Sequence, residues 1–305
     1  MTHRTLGQGG PGVSAIGFGA WPIGGGLGRV DRAAAIATVR AAIDAGITLI
    51  DTAEGYRSSE EILGEALAGG VRDRVFLATK VSFDYSPDAI RGAMEKSLRA
   101  LRTDHVDLYQ IHSWNPAFPI ERSMEAMHRL QVEGKTRFIG VSNFLPEHLE
   151  RAIGACPIVS NQVKYSLLFR DIERDGIIAW CERHGIGIIV HSPLSKGLLT
   201  GRYAPGSTFP ADDERSGFPD FQGDRFTAHL AKAERLAVIA RAKGISLVQL
   251  AVAWTLAPPV VSCTLVGAKT PDQAREHVGA ADISFTPREL ADIEAALVEQ
   301  PATHS

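Results

Sequence analysis

The stretch Asp51-Thr52-Ala53-Glu54-Gly55-Tyr56 follows a short apolar run, Ile47 to Ile50, and sets an acid and a phenol at and past its end. Two later runs close in the same way. Val75-Phe76-Leu77-Ala78-Thr79-Lys80 ends in an amine, and Val106-Asp107-Leu108-Tyr109-Gln110-Ile111-His112 ends in an imidazole. Short apolar runs bounded by polar residues read as buried strands. Parallel strands that close into a barrel bring their C-terminal ends to one face, where such barrels carry out chemistry. Asp51, Tyr56, Lys80 and His112 are therefore expected at one mouth.

Outward from these runs, strand-like and helix-like segments alternate. A hairpin is predicted near Arg4 to Ser14, a strand over Ile16 to Ala20 and an amphipathic helix over Arg32 to Ala45. Helices near Ser59 to Ala68, Pro87 to Leu101 and Ile120 to Glu133 separate the three runs above and follow the last. Strands near Thr136 to Val141, Ile158 to Gln162, Gly187 to His191 and Val261 to Val266 complete the set, with helices near Pro146 to Ile153 and Ile172 to His184, and from Pro271 onwards. Eight β-then-α units are the count of a (β/α)8 TIM barrel, here with an N-terminal β-hairpin and read as one domain over residues 1–305.

Two features lie outside that pattern. Residues Ser192 to Gly223 are rich in Gly, Pro, Asp and Ser, and a loop of that length in a compact domain is usually functional or disordered. An extra C-terminal helix is expected over Pro287 to Val298, opened by Thr286 as N-cap with Glu289 at the capping-box position. A doubly wound dinucleotide fold would need G-x-G-x-x-G after a strand, and neither Gly17-Phe18-Gly19 nor Gly24-Gly25-Gly26 fits it.

Bulk properties narrow the function classes. The chain has 305 residues, 45% hydrophobic and 22% charged, as a packed soluble domain requires. A net charge of −3 gives no reason to expect nucleic acid or an anionic membrane as partner. No apolar run approaches the ~20 residues of a membrane span, and the start lacks a signal-peptide core. Cys156, Cys181 and Cys263 match neither a disulfide framework nor zinc spacing, and fit a reducing cytoplasm.

The residues and their order resemble the aldo-keto reductase superfamily. Asp51 to Tyr56, Lys80 and Leu108 to His112 carry the likeness, together with Gly140-Val141-Ser142-Asn143-Phe144, Asn161-Gln162 and Ser192-Pro193-Leu194. Gly267-Ala268-Lys269, leading to Gln273 and Glu276, completes it. The resemblance implies a catalytic set of Asp51, Tyr56, Lys80 and His112. Reduction of a carbonyl by hydride needs a proton for the developing alkoxide. A free tyrosine, with a pKa of about 10, exchanges poorly at neutral pH. A nearby ammonium lowers that pKa, the part expected of Lys80, with Asp51 holding the lysine charged and His112 placing the carbonyl oxygen. No metal is expected.

The resemblance also implies a nicotinamide cofactor, NADPH in preference to NADH. Ser142, Asn143 and Gln162 would meet its carboxamide. His191 would stack on its ring, where the family usually places Tyr, Trp or Phe; a histidine there could make binding pH-sensitive. The segment Ser192 to Leu198 would cradle the pyrophosphate through backbone N–H groups of Leu194, Lys196 and Leu198, the loop beyond folding over it as a strap. Gly267, Lys269, Gln273, Glu276 and His277 would surround the adenosine end, Lys269 facing the 2′-phosphate. Thr270 and Gln273 also form a capping pattern, so Gln273 could instead turn back to its own helix. Trp21, Phe83 and Trp114, each following a strand, would wall a substrate pocket for small or aromatic aldehydes and ketones, sugars included. The expected partner is a small carbonyl compound; the number of subunits is open. Alternatives are an aldose or alcohol dehydrogenase using NAD(P)+, and a cofactor-binding sensor with little turnover.

Overall fold

The structure, a computed structural model, describes residues 1–298. Among these residues ten strands form: β1 (His3–Thr5), β2 (Gly12–Ser14), β3 (Ile16–Gly19), β4 (Leu49–Asp51), β5 (Phe76–Val81), β6 (Val106–Ile111), β7 (Thr136–Ser142), β8 (Ser160–Lys164), β9 (Gly187–His191) and β10 (Val261–Val266). The last eight close a parallel barrel in the order β10-β3-β4-β5-β6-β7-β8-β9. The helices are α1 (Arg32–Asp44), α2 (Ser59–Ala66), α3 (Pro87–Leu101), α4 (Ile120–Val132), α5 (Pro146–Ala155), α6 (Asp171–Arg174), α7 (Ile177–His184), α8 (Gly223–Lys243), α9 (Leu247–Thr255), α10 (Pro271–Val278) and α11 (Pro287–Leu297). The expected (β/α)8 barrel, hairpin and extra C-terminal helix are thus present.

Sequence pattern accounts for the layers. Strand residues alternate between the barrel interior and the helix-covered face. Leu49, Ala78, Leu108, Ile189, Cys263 and Leu265 form an inner cluster, and Leu6 and Val13 pack against it from the hairpin. The antiparallel pair β1–β2 therefore fills the end of the barrel away from the strand C-termini. Outside, a continuous apolar core joins the other strand faces to the helices, with Ile50, Leu77, Tyr109, Ile111, Ile139 and Val190 among its buried members.

Boundaries differ in physically legible ways. The expected helix 172–184 is broken into α6 and α7 at Gly176, whose φ of 75° is open to glycine and ends a right-handed helix. The segment 192–223 is ordered by three short 3-10 turns and its own small core of Leu198, Phe221 and Phe226. The capping box of α11 forms as read: Thr286 N–H donates to Glu289 at 2.7 Å, and Glu289 N–H donates to Thr286 Oγ1 at 3.2 Å. Among the described residues no single helix is long and apolar enough to cross a membrane.

Candidate active site

β4, β5 and β6 are adjacent parallel strands, so the residues that end them meet. Lys80 Nζ donates to Asp51 Oδ1 at 2.5 Å and to the Thr52 carbonyl at 2.9 Å. The same ammonium lies 3.4 Å from Tyr56 Oη, and Tyr56 Oη lies 3.4 Å from His112 Nε2. Lys80 is 0% exposed and Asp51 2%, so this is a desolvated ion pair. The turn that carries Tyr56 is held close to the loop after β3. A Cβ on Gly24 would sit 2.1 Å from the Tyr56 carbonyl oxygen, so only glycine allows the approach.

Burial and charge set the protonation states. Burial raises the Tyr56 phenol above its ordinary value, and the Lys80 charge, which acts downward, does not overcome it. Lys80 acts on the phenol in the expected downward direction, and desolvation of the phenolate opposes it more strongly. Burial pulls Lys80 down, but Asp51 and Tyr56 together raise it above the ordinary lysine value. Burial, with Lys80 and His191 nearby, lowers His112 to about 3, so its imidazole is neutral. His191 is lowered to about 3 by burial and by Lys80, Lys164 and Lys196. His191 is half-buried and lines the cavity, and the lowering favours its neutral ring near neutrality.

A cavity of about 560 Å³ opens over this constellation. Asp51, Tyr56, Gln162 and His191 line one part of it; Trp21 and Leu27 line a wall. Ser192, Leu194, Lys196, Gly267, Lys269 and Gln273 line it too. Backbone at Ser195, Lys196 and Gly197 runs at positive φ, 49°, 56° and 106°, a curled path of the kind that forms concave anion-binding nests.

Several expected residues are placed differently. Gln162 donates to Asp51 Oδ2 at 2.9 Å while facing the cavity. Ser142 and Asn143 are not in the cavity wall. Ser142 Oγ donates to the Gln162 carbonyl at 2.9 Å, and Asn143 Oδ1 lies 3.1 Å from His191 Nε2. Leu198, expected to offer its backbone N–H, does not line the cavity, and its apolar side chain packs with Phe221 and Phe226 beneath the strap. Gln273 turns back to its own helix start: its Oε1 accepts from Lys269 N–H at 2.8 Å. Glu276 and His277 do not line the cavity; His277 is turned into the protein, where burial lowers it to about 4. Lys269 Nζ bonds to the Leu27 carbonyl. Of the three aromatics, only Trp21 lines the cavity. Phe83 is 69% exposed, and Trp114 stacks on His148 with ring centroids 4.1 Å apart.

A family model described as the aldo/keto reductase family matches residues 15–298. The chain belongs to the aldo/keto reductase family. Members are NAD(P)H-dependent oxidoreductases of carbonyl and alcohol groups. The chain is 39% identical over 287 residues to the aldo-keto reductase YhdN of Bacillus subtilis (strain 168), covering 90% of this chain and 86% of that protein. Among solved structures, the glycerol dehydrogenase AKR11B4 from Gluconobacter oxydans superposes with a TM-score of 0.88 at 34% identity, covering 100% of this chain and 98% of that one. An aldo/keto reductase from Klebsiella pneumoniae in complex with NADP and acetate gives a TM-score of 0.80 at 31% identity, covering 99% and 98%.

The reductase site contains residues that sequence reading passed over. Gln110 Nε2 donates to Asp51 Oδ2 at 3.2 Å, and Ser82 Oγ lies 2.8 Å from His112 Nδ1. Strand periodicity held the signal for both: Gln110 is two residues before His112, and Ser82 two after Lys80, on the same faces. Arg202 and Arg215 join Lys196 and Lys269 around the cavity. Arg215 is fixed by Asp213, Nε to Oδ1 at 2.9 Å. The strap reaches the opposite wall: Leu27 bridges Asp213, Glu214 N–H donates to the Gly26 carbonyl at 3.3 Å, and Arg57 lies 3.4 Å from Glu214. Among the described residues no three His, Cys, Asp or Glu side chains gather as a metal-ligating set.

Proposed function

We propose that this protein reduces aldehydes and ketones to alcohols with NADPH, and that Tyr56 is the proton donor. The observation that carries the reading is the position of Tyr56 Oη, 3.4 Å from both the Lys80 ammonium and His112 Nε2, in the wall of the cavity. When bound, the nicotinamide supplies hydride to the carbonyl carbon. The chain supplies the rest. A phenol whose pKa lies above its ordinary value is fully protonated at neutral pH and available as an acid. Lys80 stands ready to stabilise the phenolate that remains, and Asp51 keeps the lysine charged in a place that water does not reach. Neutral His112 presents Nε2 toward the same oxygen.

The cavity fits the cofactor in its chemistry. Tyr56, Gln162 and His191 line it beside the acid–base set, while Lys196, Arg202, Arg215 and Lys269 give it four cationic side chains. These are suited to a pyrophosphate and a further phosphate. Gln162 and His191 are assigned to the nicotinamide, and Ser142 and Asn143 to positioning those two. Ser192 to Gly197 are assigned to the pyrophosphate, with Lys269 and Arg202 on the 2′-phosphate. The NADP complex of the similar Klebsiella protein supports the choice of cofactor. Phe83 and Trp114, on the loops after β5 and β6, offer exposed aromatic surface to a neutral substrate. The similar Gluconobacter protein, described as a glycerol dehydrogenase, favours polyol oxidation as the second reading.

The test is reduced-cofactor consumption with a reactive aromatic aldehyde, using NADPH or NADH, in wild type and Tyr56→Phe. Preference for NADPH and a loss of about 10²–10⁴-fold in the variant are expected. Full activity in Tyr56→Phe excludes it as the donor. Faster turnover with glycerol and NADP+ than with any carbonyl favours the second reading.

A further inference from the structure

Ser82 follows the end of β5 and makes two contacts through one hydroxyl. Gly55 N–H donates to its Oγ at 3.1 Å, and the same Oγ lies 2.8 Å from His112 Nδ1. A serine hydroxyl carries a single proton. With Gly55 filling an acceptor position, that proton has one acceptor among these two contacts, the imidazole nitrogen. The reverse arrangement, Nδ1–H donating to Oγ, would leave the serine proton without a partner in either contact.

We propose that Ser82 is a positioning residue that fixes the tautomer of His112, placing the imidazole proton on Nε2, where it faces the reacting oxygen. The inference rests on the reading of His112 as the group that places that oxygen. A neutral imidazole carries one N–H, and the hydrogen bond at one ring nitrogen decides which nitrogen keeps it. Nε2 is the edge turned to Tyr56 Oη, at 3.4 Å. With the proton there, His112 donates to a carbonyl oxygen held by Tyr56. With the proton on Nδ1, the same edge offers a lone pair, which repels that oxygen and competes for the Tyr56 proton. Glu54 braces the arrangement: its Oε2 accepts from Ser82 N–H at 3.2 Å, and its own N–H donates to the Lys80 carbonyl at 3.0 Å. The serine thus ties the turn that carries Tyr56 to the histidine across from it.

Long-range 1H–15N NMR of 15N-histidine-labelled protein tests this, with the His112 signals identified by their loss in His112→Asn. Wild type should show a neutral ring protonated on Nε2. Ser82→Ala should shift population to the Nδ1–H form and lower kcat about 10-fold, the equivalent of one hydrogen bond, with cofactor affinity unchanged, and Ser82→Thr should restore both. Ser82→Cys, a poor proton donor at the same place, serves if Ser82→Ala does not fold. A wild-type ring protonated on Nδ1 overturns the proposal. So does a fall in kcat with the tautomer unaltered, which would mark a purely structural role. The NMR result is independent of turnover, so failure of the reductase reading, seen as full activity in Tyr56→Phe, is distinguishable from failure of the tautomer assignment.

Discussion

Asp51→Asn should cost this protein far more than the loss of one surface ion pair. Exposed pairs contribute about 0–1 kcal/mol, because water screens them and long side chains must be ordered. Here Lys80 is 0% exposed and Asp51 2%, at 2.5 Å. Removing one partner of a buried pair typically costs about 3–5 kcal/mol, since the remaining charge is left without compensation. Asparagine adds a geometric conflict. Asp51 Oδ1 accepts from Lys80, while Oδ2 accepts from Gln162 at 2.9 Å and Gln110 at 3.2 Å. An amide has one oxygen, so either Lys80 or the glutamine pair must face an NH2 donor. At about 2 °C per kcal/mol for a domain of this size, the midpoint should fall by roughly 6–10 °C. The sign with pH follows from the raised Lys80 pKa. The stability it contributes is fully present below the ordinary lysine value of 10.5 and is lost as pH rises through the still higher folded value. The gap between wild type and variant should therefore be constant at neutral pH and narrow in strong alkali. Thermal denaturation at several pH values, with an Asp51→Leu/Lys80→Met double variant, checks this. The double variant should be less destabilised than Asp51→Asn, since no charge remains buried. A loss under about 1 kcal/mol in Asp51→Asn, or a double variant destabilised by more than either single change, would refute the reasoning.

Three further outcomes follow from the same geometry. Because His112 and His191 are both lowered to about 3, reductive kcat should show no histidine inflection between pH 5 and 9; an inflection near the free-histidine value that disappears in His191→Phe would show that ring to titrate. Lys269→Ala should raise the KM for NADPH much more than for NADH, and equal effects would place Lys269 away from the 2′-phosphate, its role then being to hold the Leu27 carbonyl. Glu214→Ala removes the Arg57 contact across the cavity, so stopped-flow measurements should show faster cofactor release with the chemical step unchanged; unaltered release would show that the backbone bridge Leu27 to Asp213 suffices to hold the strap.

What was legible in the sequence depended on whether a local pattern fixed a residue's surroundings. Asp51, Lys80 and His112 each close an apolar run, and parallel pairing forces the ends of neighbouring strands together, so order was enough to place them at one mouth, while their roles rested on the family resemblance. The same alternation that puts Lys80 in the barrel also puts Ser82 on its face, which made that serine findable. Gln273 was ambiguous by nature: a capping pattern and a ligand contact use the same side chain, and the observed side chain bonds Lys269 N–H at the helix start while still lining the cavity. The strap was not legible. Its small core draws on Leu198, Phe221 and Phe226, and Lys269 finds its partner at Leu27 across the barrel mouth. No period in the sequence encodes such contacts. Tyr56 shows a third kind of limit. The sequence identifies both the phenol and the ammonium, but the net direction of the phenol's pKa is set by how much water each loses. Burial prevails over Lys80, and it leaves the tyrosine holding its proton at the pH where a reductase must give one away.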